Sequence, residues 1–195
     1  TEREEERVVL LRTEFKKKQL RLHKSKVIFI DESGMRLGIP PHYGWSERGS
    51  KCLDHAPHKT WETITMIGAI GLNGFRGFMT IDDATSGDVF HAFVEQQLAP
   101  HLKHGDVVIM DNLASHKNKH ALDIIYLRGA SVEFLPPYSP DLNPIEKTWS
   151  KMKTDIRRAN TLSRDSFDKA VAGAMSRVSS DDINGWFAHA GYVAT

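Results

Sequence analysis

The chain has 195 residues, 40% of them hydrophobic and 26% charged, which is enough for one ordinary domain and excludes a disordered chain. Its 26 Lys and Arg nearly cancel 25 Asp and Glu, so a net charge of +1 gives no whole-protein attraction to nucleic acid. One cysteine, Cys52, excludes an intramolecular disulfide, and no apolar run reaches membrane-spanning length, so the expectation is a soluble, cytoplasmic protein with no membrane partner.

The spacing of Val8, Leu11, Phe15 and Leu22 predicts an amphipathic helix over residues 2–22, after a start that is nearly all charge. Residues 1–25 therefore read as a helical linker or extension, and 26–195 as the main domain. Basic residues crowd two segments, Arg12 to Lys26 and Lys151 to Arg164. Each is either a solvated face or a stripe that tracks phosphates.

Residues 27–30 (Val-Ile-Phe-Ile) form a buried-strand pattern running into Asp31-Glu32-Ser33-Gly34, a carboxylate followed by a turn. Residues 35–62 are rich in Gly, Pro and His and carry Trp45 and Trp61 as candidate anchors. Residues 63–70 and 75–81 predict a hairpin with Asn73-Gly74 in its turn. Next come a helix over 86–102 capped by Ser86, and a second apolar strand, 107–110, ending in Asp111-Asn112. A helix over 117–128 closed by Gly129 and a strand over 132–135 follow, with helices after 145 and near 165–177 and 181–189. This order predicts an α/β fold with a mixed central sheet flanked by helices.

Between the last strand and the next helix lies Leu135-Pro136-Pro137-Tyr138-Ser139-Pro140-Asp141-Leu142-Asn143-Pro144-Ile145-Glu146. Its four prolines forbid a regular element, since each fixes φ and removes a donor. Asn143 suits an N-cap and Pro144 the first helical position, so the loop delivers Glu146 into the first turn of a helix. One reading makes Glu146 a capping-box residue. The other makes it part of a site.

The strands Val-Ile-Phe-Ile-Asp and Val-Val-Ile-Met-Asp share one formula. If adjacent and parallel, they set Asp31 and Asp111 side by side at their carboxyl ends, where open α/β sheets carry active sites. Neighbouring carboxylates repel unless a cation or a shared proton compensates. With Glu146 they make an all-oxygen set suited to Mg²⁺ or Mn²⁺. Two such ions roughly 3.5–4 Å apart serve in-line phosphoryl displacement. Aspartates at strand ends also serve Rossmann-like phosphatases and plain turns, and those readings stay open at this point.

The blocks Ile28-Phe29-Ile30-Asp31-Glu32-Ser33, Met110-Asp111-Asn112 with His116, and Pro137 to Glu146 resemble the catalytic blocks of the IS630/Tc1/mariner transposase superfamily. Between Asp111 and Glu146 stand 146 − 111 − 1 = 34 residues, the spacing called DD34E in that superfamily. Trp149 and Lys153, Gly44-Trp45, Arg48-Gly49 and His189-Ala190-Gly191-Tyr192 are similar to the bacterial IS630 branch. The resemblance implies an RNase H-like fold and a triad of Asp31, Asp111 and Glu146 holding two Mg²⁺ (or Mn²⁺) ions. It also implies DNA strand cleavage at transposon ends and strand transfer into double-stranded target DNA at a TA dinucleotide, by a homo-oligomer in a bacterial, nucleoid-associated setting. Family members carry an N-terminal helix-turn-helix that reads transposon ends, and nothing here resembles it. Sequence-specific end recognition is therefore expected to be absent from this chain. Two alternatives stand beside this reading: a truncated product that bridges DNA or regulates without cutting, and another RNase H-like nuclease.

Other candidates have rival readings. His116 either contacts DNA or caps the next helix. Asn112 and Asn143 orient backbone and carboxylates rather than ligate metal, and Lys153 is a DNA-contact candidate. Cys52, His55 and His58 lack a fourth zinc ligand nearby. Asp82, Asp83 and Asp141 read as turn residues, and Trp149 as core packing under the Glu146 helix.

Overall fold

The apolar runs assemble into one sheet in the computed structural model, which describes residues 2–37, 45–53, 62–159 and 161–192. Its strands are β1 (Val27–Arg36), β2 (Thr63–Gly71), β3 (Gly74–Ile81), β4 (Val107–Met110) and β5 (Ser131–Phe134), in the order β3-β2-β1-β4-β5. The hairpin side pairs antiparallel and the β1-β4-β5 side parallel, giving the expected mixed sheet. Gly74, at φ 111°, supplies the left-handed residue that the β2–β3 turn needs.

Period-two alternation sorts each strand between two cores. Val27 and Phe29 of β1 and Ile109 of β4 join one cluster, with Ile145, Trp149, Met152 and Ile156 of α4 (Ile145–Arg158). That same cluster takes in Phe167 of α5 (Arg164–Ser176) and Phe187 of α6 (Ser180–His189). Ile28, Ile30, Val108 and Met110 face the other cluster, with Phe90 and Phe93 of α2 (Gly87–Phe93) and Ala121 and Ile125 of α3 (Lys119–Leu127). The N-terminal helix α1 (Glu6–Gln19) docks on the first of these cores through Phe15.

Several local expectations are corrected. No turn follows Asp31: β1 continues to Arg36, because β2 pairs with it through Arg36↔Thr63 while its parallel pairing with β4 stops at Phe29↔Ile109. The 86–102 helix is capped by Ser86 Oγ as expected, accepting from Val89 N at 3.2 Å. It then loosens into a π-helical turn, Val94–Leu98, and a 3-10 turn, Ala99–His101, where Pro100 ends the regular pattern. The 117–128 helix begins instead at Lys119, with Asn118 Oδ1 accepting from His120 N and Ala121 N at 3.0 and 3.2 Å. Trp45 anchors nothing, being fully exposed. Gly44, His55, His58 and Trp61 lie outside the described residues.

Gly68 of β2 stands opposite Asp31 in the β1–β2 register, and the Trp149 ring occupies the space a side chain would need. A Cβ there would come 2.7 Å from Trp149 Cη2 and 3.2 Å from Cζ2. Replacing Gly68 by Ala should therefore destabilise the fold by about 1–3 kcal/mol through overpacking. Urea titration of the variant measures it, and an unchanged midpoint would mean the indole moves aside freely.

Candidate active site

Register and parity bring the two aspartates together. Phe29 pairs with Ile109, and Asp31 and Asp111 each stand two residues further on; Asp31 projects to the α4 side, where Trp149 meets it, and Asp111, just past the end of β4, turns its carboxylate to His116. Leu135 N donates to Met110 O at 2.8 Å, tying the start of the proline loop to the same edge. The loop then turns through Pro140–Leu142 and enters α4, whose first turn carries Glu146. Asp31, Asp111, Asn112, Asn143 and Glu146 line one cleft of about 450 Å³ with the loop prolines.

The electrostatics follow from this crowding. Burial, then the charges of Glu146, Glu32 and Asp111, push the Asp31 carboxyl from 3.8 up to about 7. Trp149 Nε1 donates to Asp31 Oδ2 at 3.2 Å, the one side-chain donor that reaches this carboxylate among the described residues. Asp111 is treated differently. Burial raises its pKa, but the hydrogen bond and charge of His116, with the N–H of Leu113, outweigh it and hold the carboxyl below its ordinary value. His116 is itself fully buried against Phe90, with ring centroids 4.6 Å apart. Its Nδ1 donates to Asp111 Oδ1 at 2.7 Å and its Nε2 to Glu32 Oε1 at 2.8 Å. Burial disfavours the imidazolium, yet the hydrogen bonds and charges of Asp111 and Glu32 prevail and raise it to about 10. The ring is thus a cation held between two carboxylates.

Glu146 caps nothing. The helix has no side-chain cap, and the amide a capping box would use, Asn143 N, already donates to Pro140 O at 3.1 Å. Pro144, not Asn143, occupies the N-cap position. Asn143 Oδ1 is buried with no partner, so the expected orienting role is not made by that oxygen. Asn112 and its neighbour Leu113 line the cleft. Lys153 lies half-buried on the face of α4 shared with Glu146 and Trp149; burial and Arg157 lower its pKa against the opposing pull of Glu146 and Asp31.

Other expected roles change. Asp141 is not a simple turn residue, since Arg12 Nη2 donates to its Oδ2 at 2.6 Å. Asp82 pairs with Arg164. Cys52 is exposed and free. Glu32, Arg12, Gly68 and the indole N–H of Trp149 were not singled out from the sequence. For Trp149 a signal existed, because it stands three residues after Glu146 and so on the same helical face. For Glu32 and Arg12 none did, because their partners are 84 and 127 residues away.

Among the described residues no three His, Cys, Asp or Glu side chains close around a common point as a metal site. The donor set nonetheless fits a hard divalent cation. It is all oxygen, burial and neighbouring carboxylates raise the Asp31 carboxyl to about 7, and the buried Asn143 Oδ1 lacks a donor.

The family model described as "DDE superfamily endonuclease" matches residues 26–168. No protein of curated function matches the sequence. Among solved structures, the catalytic domain of Mos1 mariner transposase superposes with a TM-score of 0.70 at 14% identity, over 98% of this chain and 91% of that one. A pre-cleavage Mos1 transpososome gives 0.76 at 15% identity, over 98% of this chain and 61% of that one. A Mos1 paired-end complex with Mn gives 0.76 at 16%, over 97% and 61%. The fold is therefore RNase H-like, and this chain spans about three-fifths of the Mos1 chain in those complexes.

The raised Asp31 predicts a pH effect in metal-free protein. Its folded pKa of about 7 exceeds the unfolded 3.8, so the folded state binds this proton more tightly. The associated stability is complete below pH 3.8 and lost as pH rises through 7. Asp31→Asn should therefore melt about 5 °C or more above the wild type at pH 8 and close to it near pH 4. Thermal scans at both values test this; a variant no more stable at pH 8 would mean Asp31 is not strained by its neighbours.

Proposed function

Since the chain belongs to the DDE superfamily endonucleases, we propose that it is the catalytic domain of a Tc1/mariner-type transposase of the IS630 branch. It cleaves DNA at transposon ends and joins the freed 3′-hydroxyl to target DNA at a TA dinucleotide, as a homo-oligomer. The observation that carries this reading is the common cleft of Asp31, Asp111 and Glu146, with Asp31 driven to about 7 by burial and its carboxylate neighbours. The Mos1 structures, solved with a transposon end, as a strand transfer complex, and with Mn or Mg, support DNA and divalent metals as the partners.

Asp31, Asp111 and Glu146 would hold two Mg²⁺ or Mn²⁺ ions, which supply activation of the attacking oxygen and stabilisation of the leaving one. The chain's own residues do the rest. Trp149 holds one oxygen of Asp31 by its indole N–H. His116 fixes the Asp111 carboxylate and keeps it ionised. The prolines fix the path by which Glu146 reaches the cleft. Lys153, on the Glu146 face of α4, offers a positive charge to a phosphate entering there. No protein nucleophile is needed: water attacks first and a DNA hydroxyl second.

Asp111→Asn should lower Mg²⁺- or Mn²⁺-dependent nicking and joining of transposon-end DNA by at least about a hundredfold, with circular dichroism unchanged. Retained activity would remove the triad. A wild-type chain that binds DNA or a full-length partner yet never nicks in Mn²⁺ would favour the regulatory reading. Cleavage confined to RNA–DNA hybrids would favour a different nuclease.

A further inference from the structure

Arg12 of α1 is only 8% exposed, and its guanidinium closes on the proline loop at three points. Nη1 donates to Tyr138 O at 3.0 Å and to Ser139 Oγ at 2.6 Å, and Nη2 donates to Asp141 Oδ2 at 2.6 Å. Ser139 Oγ in turn donates to Pro137 O at 3.0 Å. A buried guanidinium is costly unless its donors are satisfied, so residue and loop hold each other in place. The gripped stretch includes Tyr138 at φ 54°, the one non-glycine residue at positive φ among the described residues. Such a conformation persists only where its surroundings impose it.

From this grip a continuous set of short bonds runs to the site. Leu142 N donates to Ser139 O at 3.0 Å, Asn143 N to Pro140 O at 3.1 Å, and Glu146 N to Asn143 O at 3.3 Å. Prolines at 140 and 144 fix φ along the way, so the loop passes a displacement on instead of absorbing it. We infer that Arg12 is a positioning residue for Glu146: by gripping Tyr138, Ser139 and Asp141 it sets where the third carboxylate meets the cleft. The inference rests on the functional reading above. Lysine cannot substitute, because one ammonium does not reproduce the planar fork.

Two other contacts separate a grip on the loop from mere docking of α1. Gln19 Nε2 donates to Ala190 O at 2.7 Å and anchors the same helix without touching the loop. Tyr192 Oη donates to Leu142 O at 3.3 Å and holds the loop independently of α1.

The test compares Arg12→Gln, Arg12→Lys and Gln19→Ala by amide hydrogen exchange in metal-free protein and by Mn²⁺ titration. Arg12→Gln should speed exchange at Leu142, Asn143, Glu146 and Lys147 by about tenfold or more, leave β1 and β4 unchanged, and weaken Mn²⁺ affinity to a similar degree. Arg12→Lys, which keeps the buried charge and serves if the glutamine variant fails to fold, should resemble Arg12→Gln more than wild type. Gln19→Ala should change neither readout. Native exchange in both Arg12 variants, equal acceleration in Gln19→Ala, or faster exchange with undiminished Mn²⁺ affinity would each overturn the inference. A wild-type chain that takes up no Mn²⁺ would sink the functional reading instead, and the exchange comparison would still decide whether Arg12 grips the loop.

Discussion

Carboxylates gathered around one cleft at a sheet edge repel one another, and much of this fold is arranged around that repulsion. Asp31 and Asp111 are forced together by the β1–β4 register, and Glu146 is brought to them by a loop too stiff to retreat. The two cores on either side of the sheet keep these elements from drifting apart. Without that packing, like charges would separate into water, where their interaction is weak.

The two aspartates meet the repulsion in different ways. Asp111 has a buried cation beside it, since His116 is wedged between Asp111 and Glu32 and stays protonated. Asp31 is buried among three carboxylates, and a neutral indole donor and the Glu32 amide do not offset them, so it moves toward protonation. Carboxylates whose environments push their pKa values apart are a recurring mark of acid–base and metal chemistry. Under the proposed function a divalent cation would relieve Asp31 most, because burial and three neighbouring carboxylates act on it together.

Glu32 shows how closely the two faces of one strand cooperate. It follows Asp31 and so points to the opposite core, where it meets His116. One strand thus supplies a carboxylate to the cleft and, from its back face, a partner for the histidine that steadies the neighbouring carboxylate. Gly68 completes the arrangement across β2, since its missing side chain leaves room for the indole that reaches Asp31.

The local pattern alone determined a good deal. Four apolar residues followed by aspartate marked both central strands, their shared formula set Asp31 and Asp111 at the carboxyl ends should the strands be adjacent, and the proline run announced a stiff delivery of Glu146 to a helix start. These are short-range properties, legible because burial and φ restriction act within a few residues. What only the tertiary structure decided involved partners far apart in sequence. β1 runs past Asp31 because β2 pairs with it, which no residue near Asp31 signals. Asn143 and Glu146 match a capping box in sequence, yet the cap does not form because Pro140 O has already taken the amide. Arg12 reads as one more charge in a basic stripe until α1 docks and buries it on the loop. His116, Glu32, Trp149 and Arg12 acquire their roles from packing, because a hydrogen bond depends on where two groups end up in space and not on their separation along the chain.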